Sequence, residues 1–321
     1  VIRVSLMKFS AAVVQIGSVP FDREATVAKV LRHIREGAAT GAKLLVFPEA
    51  LISGYPKGAD FGARVGGRMP RGRDDFLRYY NSAIAVPGPE VAEIEAAAHE
   101  QGVHVVIGVI ERDGGTLYCT VLFFSPERGY LGKHRKLMPT AMERLIWGYG
   151  DGSTLPVFDT PIGRIGSVIC WENYMPLLRT AMYAKNIQLY CAPTADDRDT
   201  WQATMRHIAL EGRCFVLSAC QYIKRGAFPD DYDAIQGNEA DTLLMRGGSL
   251  IVSPLGEMLA GPNFDQECIL TAELDLDDIP RGKYDFDAVG HYARPDIFRL
   301  SVDENAKPVM INSVGRAMGE D

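Results

Sequence analysis

Short continuous apolar runs alternate along this chain with stretches whose apolar residues recur every three or four positions. Residues 9–17 (FSAAVVQIG) form the first run and predict a strand. Residues 23–39 follow with Val27, Val30, Leu31 and Ile34 at helical spacing, and 42–47 (AKLLVF) predict a second strand ending on Pro48-Glu49. Residues 54–73 interleave glycines with Arg64, Arg68, Arg71 and Arg73 and predict a loop. Residues 76–83 are weakly helical, and 89–101 form a better helix opened by Pro89. Residues 103–110 predict a strand, and 117–124 pairs with 129–132 across the turn SPERG, whereas 133–152 is polar and irregular.

A buried strand over 165–169 then ends at Cys170, where Trp171-Glu172-Asn173 turns the chain into a helix. Asn173 can cap that helix, and Pro176 fits its first turn because the missing N–H costs nothing there. Strands at 188–192 and 215–221 flank a helix at 201–213. Residues 224–247 read as a long loop, 249–253 and 257–260 as a hairpin, and 269–274 as a last strand before an irregular tail. The alternation predicts one α/β domain over residues 1–321, with no low-complexity linker. Strand–helix–strand occurs once before Pro48-Glu49 and again before Ala192-Pro193, a faint echo of internal pseudo-symmetry.

With 321 residues, 47% of them hydrophobic, the chain can bury a sizeable core. A net charge of −7 leaves no basic field for nucleic acid or an anionic membrane. No apolar run is long enough to span a bilayer, and the opening residues lack an apolar core followed by a cleavage site. The expected location is therefore the cytoplasm. Six cysteines with no CxxC pair predict neither a disulfide scaffold nor a zinc site.

Three ionisable residues follow strand-like segments: Glu49, Lys136 and Cys170. Each has an ordinary reading alone, as a turn cap, a member of the charge run KHRK, and a buried structural thiol. Together they supply what thiol catalysis needs. A free thiol has a pKa of about 8.5 and is mostly protonated at neutral pH. A carboxylate in a dry pocket can take its proton, and an ammonium can stabilise the charge that develops on the substrate. None of the six histidines sits in a motif aimed at a nucleophile, and His207, at helical spacing in MRHIALEG, reads as structural.

The blocks FPEALISGYP (47–56), GKHRKLMPTAMERLIWGYGDG (132–152) and IGSVICWENYMP (165–176) resemble the nitrilase superfamily in order and spacing. So do ALEGRCFVLSACQ (209–221), GGSLIVSPLGEMLAGP (247–262) and GHYARPD (290–296). Cys-Trp-Glu after the strand is similar to the nitrilase branch, and YCAPTAD (190–196) to the plant-type nitrilases and their bacterial relatives.

The resemblance implies a four-layer αββα sandwich. It implies Cys170 as nucleophile, Glu49 as general base, Lys136 as cationic stabiliser and Glu143 as the acid that positions Lys136 and the attacking water. Tyr55, Thr140, Trp147 and Trp171 match positions lining the substrate cavity, which suits aryl or arylaliphatic nitriles. No metal or organic cofactor is implied. The product is a carboxylic acid plus ammonia, reached through a thioimidate and a thioester on Cys170. The alternatives are release of the amide, as in cyanoalanine or cyanide hydration, an amidase of the same superfamily, or a scaffold without catalysis. Intact Glu49, Lys136, Glu143 and Cys170 speak against the last. The resemblance also implies a homo-oligomer, a dimer that many members extend into spirals, with residues 174–185 and 224–247 as candidate contacts. Longer members carry a C-terminal tail beyond the point where this chain ends, which bears on filament length.

Overall fold

The computed structural model describes residues 8–308; the opening residues 1–7 and the end of the tail, 309–321, lie outside the described residues. In the first strand, β1 (Lys8–Gln15), Ala11 and Val13 face one way and Ala12 and Val14 the other, and all four are buried. A strand apolar on both faces must be covered on both, and that requirement organises the molecule.

The first half continues through α1 (Arg23–Ala39), β2 (Ala42–Val46), a small hairpin of β3 (Ala63–Arg64) and β4 (Gly67–Arg68), α2 (Arg71–Ser82) and α3 (Pro89–Gln101). It ends with β5 (His104–Asp113), β6 (Thr116–Ser125), β7 (Gly129–Arg135) and the one-turn α4 (Glu143–Ile146). The second half runs β8 (Val157–Thr160), β9 (Gly163–Ser167), α5 (Pro176–Ala184), β10 (Leu189–Cys191), α6 (Asp199–Gly212) and β11 (Phe215–Ser218). A second small hairpin, β12 (Tyr222–Lys224) with β13 (Leu243–Arg246), precedes β14 (Ser249–Val252), β15 (Met258–Asn263), β16 (Cys268–Asp275) and α7 (Asp278–Gly282).

Two six-stranded sheets result, ordered β16-β1-β2-β5-β6-β7 and β15-β14-β11-β10-β9-β8. In each, three parallel strands (β1, β2, β5 and β9, β10, β11) are flanked by antiparallel ones. The faint internal echo in the sequence corresponds to this shared plan. The inner core packs Val13, Val46, Val106 and Val121 of one sheet with Ile165, Leu189, Leu217 and Ile251 of the other. Outside the first sheet, Val27, Val30 and Ile34 of α1 and Val91 and Ile94 of α3 cover Val14, Leu45 and Val105. Outside the second, Leu178 and Met182 of α5 and Trp201, Met205 and Ile208 of α6 cover Tyr190, Val216 and Val252. This is the four-layer αββα sandwich.

Several local expectations change. The loop expected over 54–73 contains the β3–β4 hairpin, and its last residues already begin α2 at Arg71. The long loop over 224–247 includes β13, which pairs with β12. Strand β7 runs on through Lys133-His134-Arg135, where irregular chain was expected, because each polar side chain there finds a partner. Lys133 and Arg135 bond Glu111, and His134 bonds Glu172. Asn173 does not cap α5, whose N-cap is Met175; its Nδ2 instead donates to Val168 O at 2.9 Å and Cys170 O at 2.7 Å, inside the turn.

The segment after β2 is held by close backbone approach. Gly108 N donates to Pro48 O at 3.1 Å, and Leu51 N donates to Gly108 O at 2.9 Å. A Cβ at Gly108 would lie 2.4 Å from Pro48 O and 2.6 Å from Glu49 Cα. Gly108→Ala is therefore expected to push residues 48–50 aside and destabilise the fold by about 1–3 kcal/mol, the range for overpacking. Urea unfolding measures this.

Candidate active site

Each reactive side chain leaves a sheet just past the end of a strand. Glu49 lies three residues beyond β2, Lys136 directly follows β7, and Cys170 lies three residues beyond β9. The chain bends sharply at two of these points: Ala50 has φ +48° and Cys170 itself φ +50°. Non-glycine residues rarely adopt this left-handed region, and holding them there is a strain the surroundings must stabilise. Cys170 N donates to Pro193 O at 2.9 Å, and Gln221 Nε2 donates to Glu49 O at 3.0 Å. These bonds pin the backbone at both bends.

Lys136 is the centre. Its Nζ donates to Glu49 Oε1 at 2.7 Å and to Glu143 Oε2 at 2.8 Å, and the side chain has no exposed surface. Burial disfavours its charge, yet the attraction of Glu49 and then of Glu143 outweighs burial and holds its pKa well above that of an ordinary lysine. The Trp147 ring lies 5.4 Å from the ammonium and adds a cation–π contact. Glu143 opens α4; its Oε2 also accepts the Thr140 N–H at 2.6 Å, and its Oε1 accepts the Tyr55 hydroxyl at 2.6 Å. Tyr55 packs edge-on against Trp147.

Glu49 is fully buried. Burial raises its pKa, partly offset by Lys136 and reinforced by Glu143. Its Oε2 has no hydrogen-bond partner, while the Cys119 thiol approaches Oε1 at 3.5 Å. The Cys170 thiol lies close enough to the same carboxylate to lower its pKa slightly. On its other side Cys170 Sγ accepts the Thr194 hydroxyl at 3.2 Å. Burial, and then the charge of Glu49, push the Cys170 thiol pKa up. The resting sulfur is therefore a thiol, and attack on an electrophile requires a base at hand.

Cys170 opens onto a cleft of ≈ 170 Å3 whose walls include Tyr55, Thr140, Glu143 and Trp171. Lys57, Asp196, Asp197 and Arg198 also line it, so the cleft carries charged walls beside the residues expected from sequence. A neighbouring cleft of ≈ 250 Å3 shares Tyr55, Lys57, Thr140 and Glu143 and is lined by Trp147. Trp171 is half-exposed and held in place by Asp196, which accepts its Nε1–H at 2.8 Å, and by the Arg198 guanidinium 5.0 Å from its ring.

All eight side chains singled out from sequence thus gather around one site, with Trp147 behind Lys136 and Tyr55, off the cleft that reaches Cys170. His207 is exposed on α6, 3.6 Å from Glu211, and is not among the cleft residues. Sequence reasoning missed Thr194, Cys119, His134 and Glu172. For Glu172 and Asn173 there was a signal: two polar residues in a stretch that is otherwise apolar on both sides.

The family model described as carbon-nitrogen hydrolase matches residues 10–284. The aliphatic nitrilase of Sinorhizobium fredii (strain HH103) is 62% identical over 306 residues, 95% of this chain and 99% of that one. The bifunctional nitrilase/nitrile hydratase NIT4B of Nicotiana tabacum is 56% identical over 308 residues, 94% of this chain and 88% of that one. Among solved structures, the carbon-nitrogen hydrolase from Helicobacter pylori G27 superposes with a TM-score of 0.70 at 20% identity, covering 91% of this chain and 97% of that one, a likeness of fold. The matched span contains Glu49, Lys136, Glu143 and Cys170 together, and the chain belongs to the carbon-nitrogen hydrolase family.

Proposed function

We propose that this protein is a nitrilase: it hydrolyses an organic nitrile to the carboxylic acid and ammonia, with Cys170 as nucleophile. The observation that carries the reading is a thiol that opens onto a cleft beside a buried carboxylate whose partner is a doubly paired, buried ammonium. The identities of 56–62% to nitrilases along nearly the whole chain support the same reading.

In the proposed reaction Glu49 takes the Cys170 proton as sulfur attacks the nitrile carbon, and the proton passes to nitrogen to give a thioimidate. Concerted transfer fits a thiol whose pKa burial has raised. Water, deprotonated by Glu49, adds to the thioimidate carbon; Lys136 and the backbone N–H of Trp171 stabilise the negative charge of the tetrahedral stage. Ammonia leaves, a thioester remains, and a second water releases the acid and restores the thiol. Glu143 keeps Lys136 and the attacking water in place. Two waters are consumed and no oxidant or reductant is needed.

For the substrate, Tyr55 and Trp171 offer aromatic walls and the adjoining cleft offers length, which supports an aryl or arylaliphatic nitrile with C≡N at Cys170. The second reading, partial release of the amide, is favoured by the bifunctional name of the Nicotiana tabacum relative. The tetrahedral carbon then expels the thiol instead of ammonia. Chain 1–321 acts as one catalytic unit in this reading. No helix among the described residues is long and apolar enough to cross a membrane. All six cysteines are free, which supports a reducing compartment such as the cytoplasm. Exposed Tyr174, Leu177 and Leu210 on and beside α5 and α6 support a homo-oligomer that buries them.

Purified protein incubated with phenylacetonitrile, 3-phenylpropionitrile, benzonitrile, β-cyanoalanine, cyanide and phenylacetamide should release ammonia and matching acid from nitriles but not from the amide. Amide without ammonia would select the hydratase reading, and hydrolysis of phenylacetamide alone an amidase. Cys170→Ala should fold, by circular dichroism, with turnover below about one-thousandth of the parent. Lys136→Ala should be inactive and less stable by about 3–5 kcal/mol in urea, since it strands two buried carboxylates. The acid limb of kcat/KM should lie above the ordinary carboxylate range, because Glu49 must be ionised to act and its pKa is raised. A pH–rate profile with its acid limb near pH 4 would remove Glu49 as the base.

A further inference from the structure

One carboxylate joins the turn that carries Lys136 to the turn that carries Cys170. Glu172 Oε1 accepts the Leu137 N–H at 2.6 Å, and Oε2 accepts the Ile169 N–H at 2.9 Å. Leu137 follows Lys136 and Ile169 precedes Cys170, so each bond fixes the backbone one residue from a reacting group. Glu172 also closes its own turn, its N–H donating to Ile169 O at 3.1 Å. The side chain is fully buried.

A buried carboxylate needs a counter-charge as well as donors. His134 of β7 provides it: Nε2 lies 2.9 Å from Glu172 Oε2, and Nδ1 lies 2.6 Å from Thr154 O. A carbonyl only accepts, and an ionised carboxylate only accepts, so both ring nitrogens carry protons and the ring is an imidazolium. Burial opposes that charge, but Glu172 overcomes it and raises the His134 pKa. The other charged group acting on the ring is Lys185, at the end of α5, which opposes the imidazolium and is itself paired with Glu304. Neither His134 nor Glu172 is on the cleft, and neither has a part in the steps proposed above.

We propose that His134 and Glu172 are a positioning pair, a buried imidazolium–carboxylate clamp that sets where the Lys136 ammonium and the Cys170 thiol stand relative to each other. The proposal rests on Cys170 being the nucleophile. The clamp works through the backbone: two main-chain N–H groups and the His134 ring converge on one carboxylate, and charge assistance makes these bonds stronger than neutral ones. An amide at position 172 would keep one acceptor oxygen and turn an NH2 towards an N–H. One of the two turns would then be released.

The test uses the full chain with Glu172→Gln and, separately, His134→Gln, which keeps a donor towards Glu172 but no charge. Glu172→Gln is expected to lower kcat by about tenfold to a hundredfold, the cost of an ångström-scale misplacement, while KM stays within about twofold. The rate of Cys170 alkylation by iodoacetamide, followed by mass spectrometry, should fall alongside kcat, and His134→Gln should recover part of both. With selectively 15N-labelled histidine, the parent should show both His134 ring nitrogens protonated at neutral pH. Parental kcat and alkylation rates in both variants would overturn the proposal. So would a loss of kcat that only follows the unfolded fraction, or a neutral His134 ring. Should Glu172→Gln not fold, His134→Gln and the nitrogen spectrum decide the matter. A parent protein that hydrolyses no nitrile, yet alkylates at Cys170 and slows in the variants, would leave the clamp standing and overturn only the substrate reading.

Discussion

A lysine with no solvent exposure is held between two carboxylates, and the rest of the site follows from that arrangement. Placing one ammonium in a dry interior costs several kcal/mol unless it is paired. Lys136 has Glu49 at 2.7 Å and Glu143 at 2.8 Å. Two negative charges against one positive leave the cluster short of a cation, so it holds protons readily. Burial first, and then the charge of Glu143, give Glu49 a raised pKa; burial first, and then the charge of Glu49, make the adjacent Cys170 thiol resist ionisation. The surplus negative charge makes the site a base rather than a store of thiolate.

The sandwich exists, in functional terms, to bring these charges together from distant parts of the chain. Glu49 and Cys170 come from different sheets, at bends that follow comparable parallel strands, and each bend contains a residue with positive φ. Tight backbone approach makes the geometry hold. Gly108 admits the segment 48–50 because it has no Cβ, and Gln221 ties that segment to the second sheet. The strain is local, whereas its stabilisation is spread through the core between the sheets.

Much of this was legible in the sequence. The continuous apolar runs at 42–47 and 165–169 marked strands buried on both faces, and Glu49 and Cys170 stood out as reactive residues at their ends. What periodicity did not show was where polar residues would find partners in space. Lys133-His134-Arg135 looks like a solvated charge run, yet it is strand, because Glu111 and Glu172, remote in sequence, neutralise it. Asn173 has the chemistry of a helix cap and serves inside the nucleophile turn instead, because the carbonyls of Val168 and Cys170 reach it first. Local pattern carries the strands; the polar contacts between them depend on the tertiary fold.

The placement of His134 also bears on how the thiol is activated. In a thiol–imidazole pair the ring stabilises a resting thiolate. Here the His134 ring has both nitrogens committed, one to Thr154 O and one to Glu172. The groups that do surround Cys170 are a carboxylate, an ammonium and the Thr194 hydroxyl. In the proposed reaction a carboxylate of raised pKa takes the thiol proton as the sulfur–carbon bond forms, and no resting thiolate is required. On that proposal such a centre reacts fastest with an electrophile that is seated and polarised in the cleft.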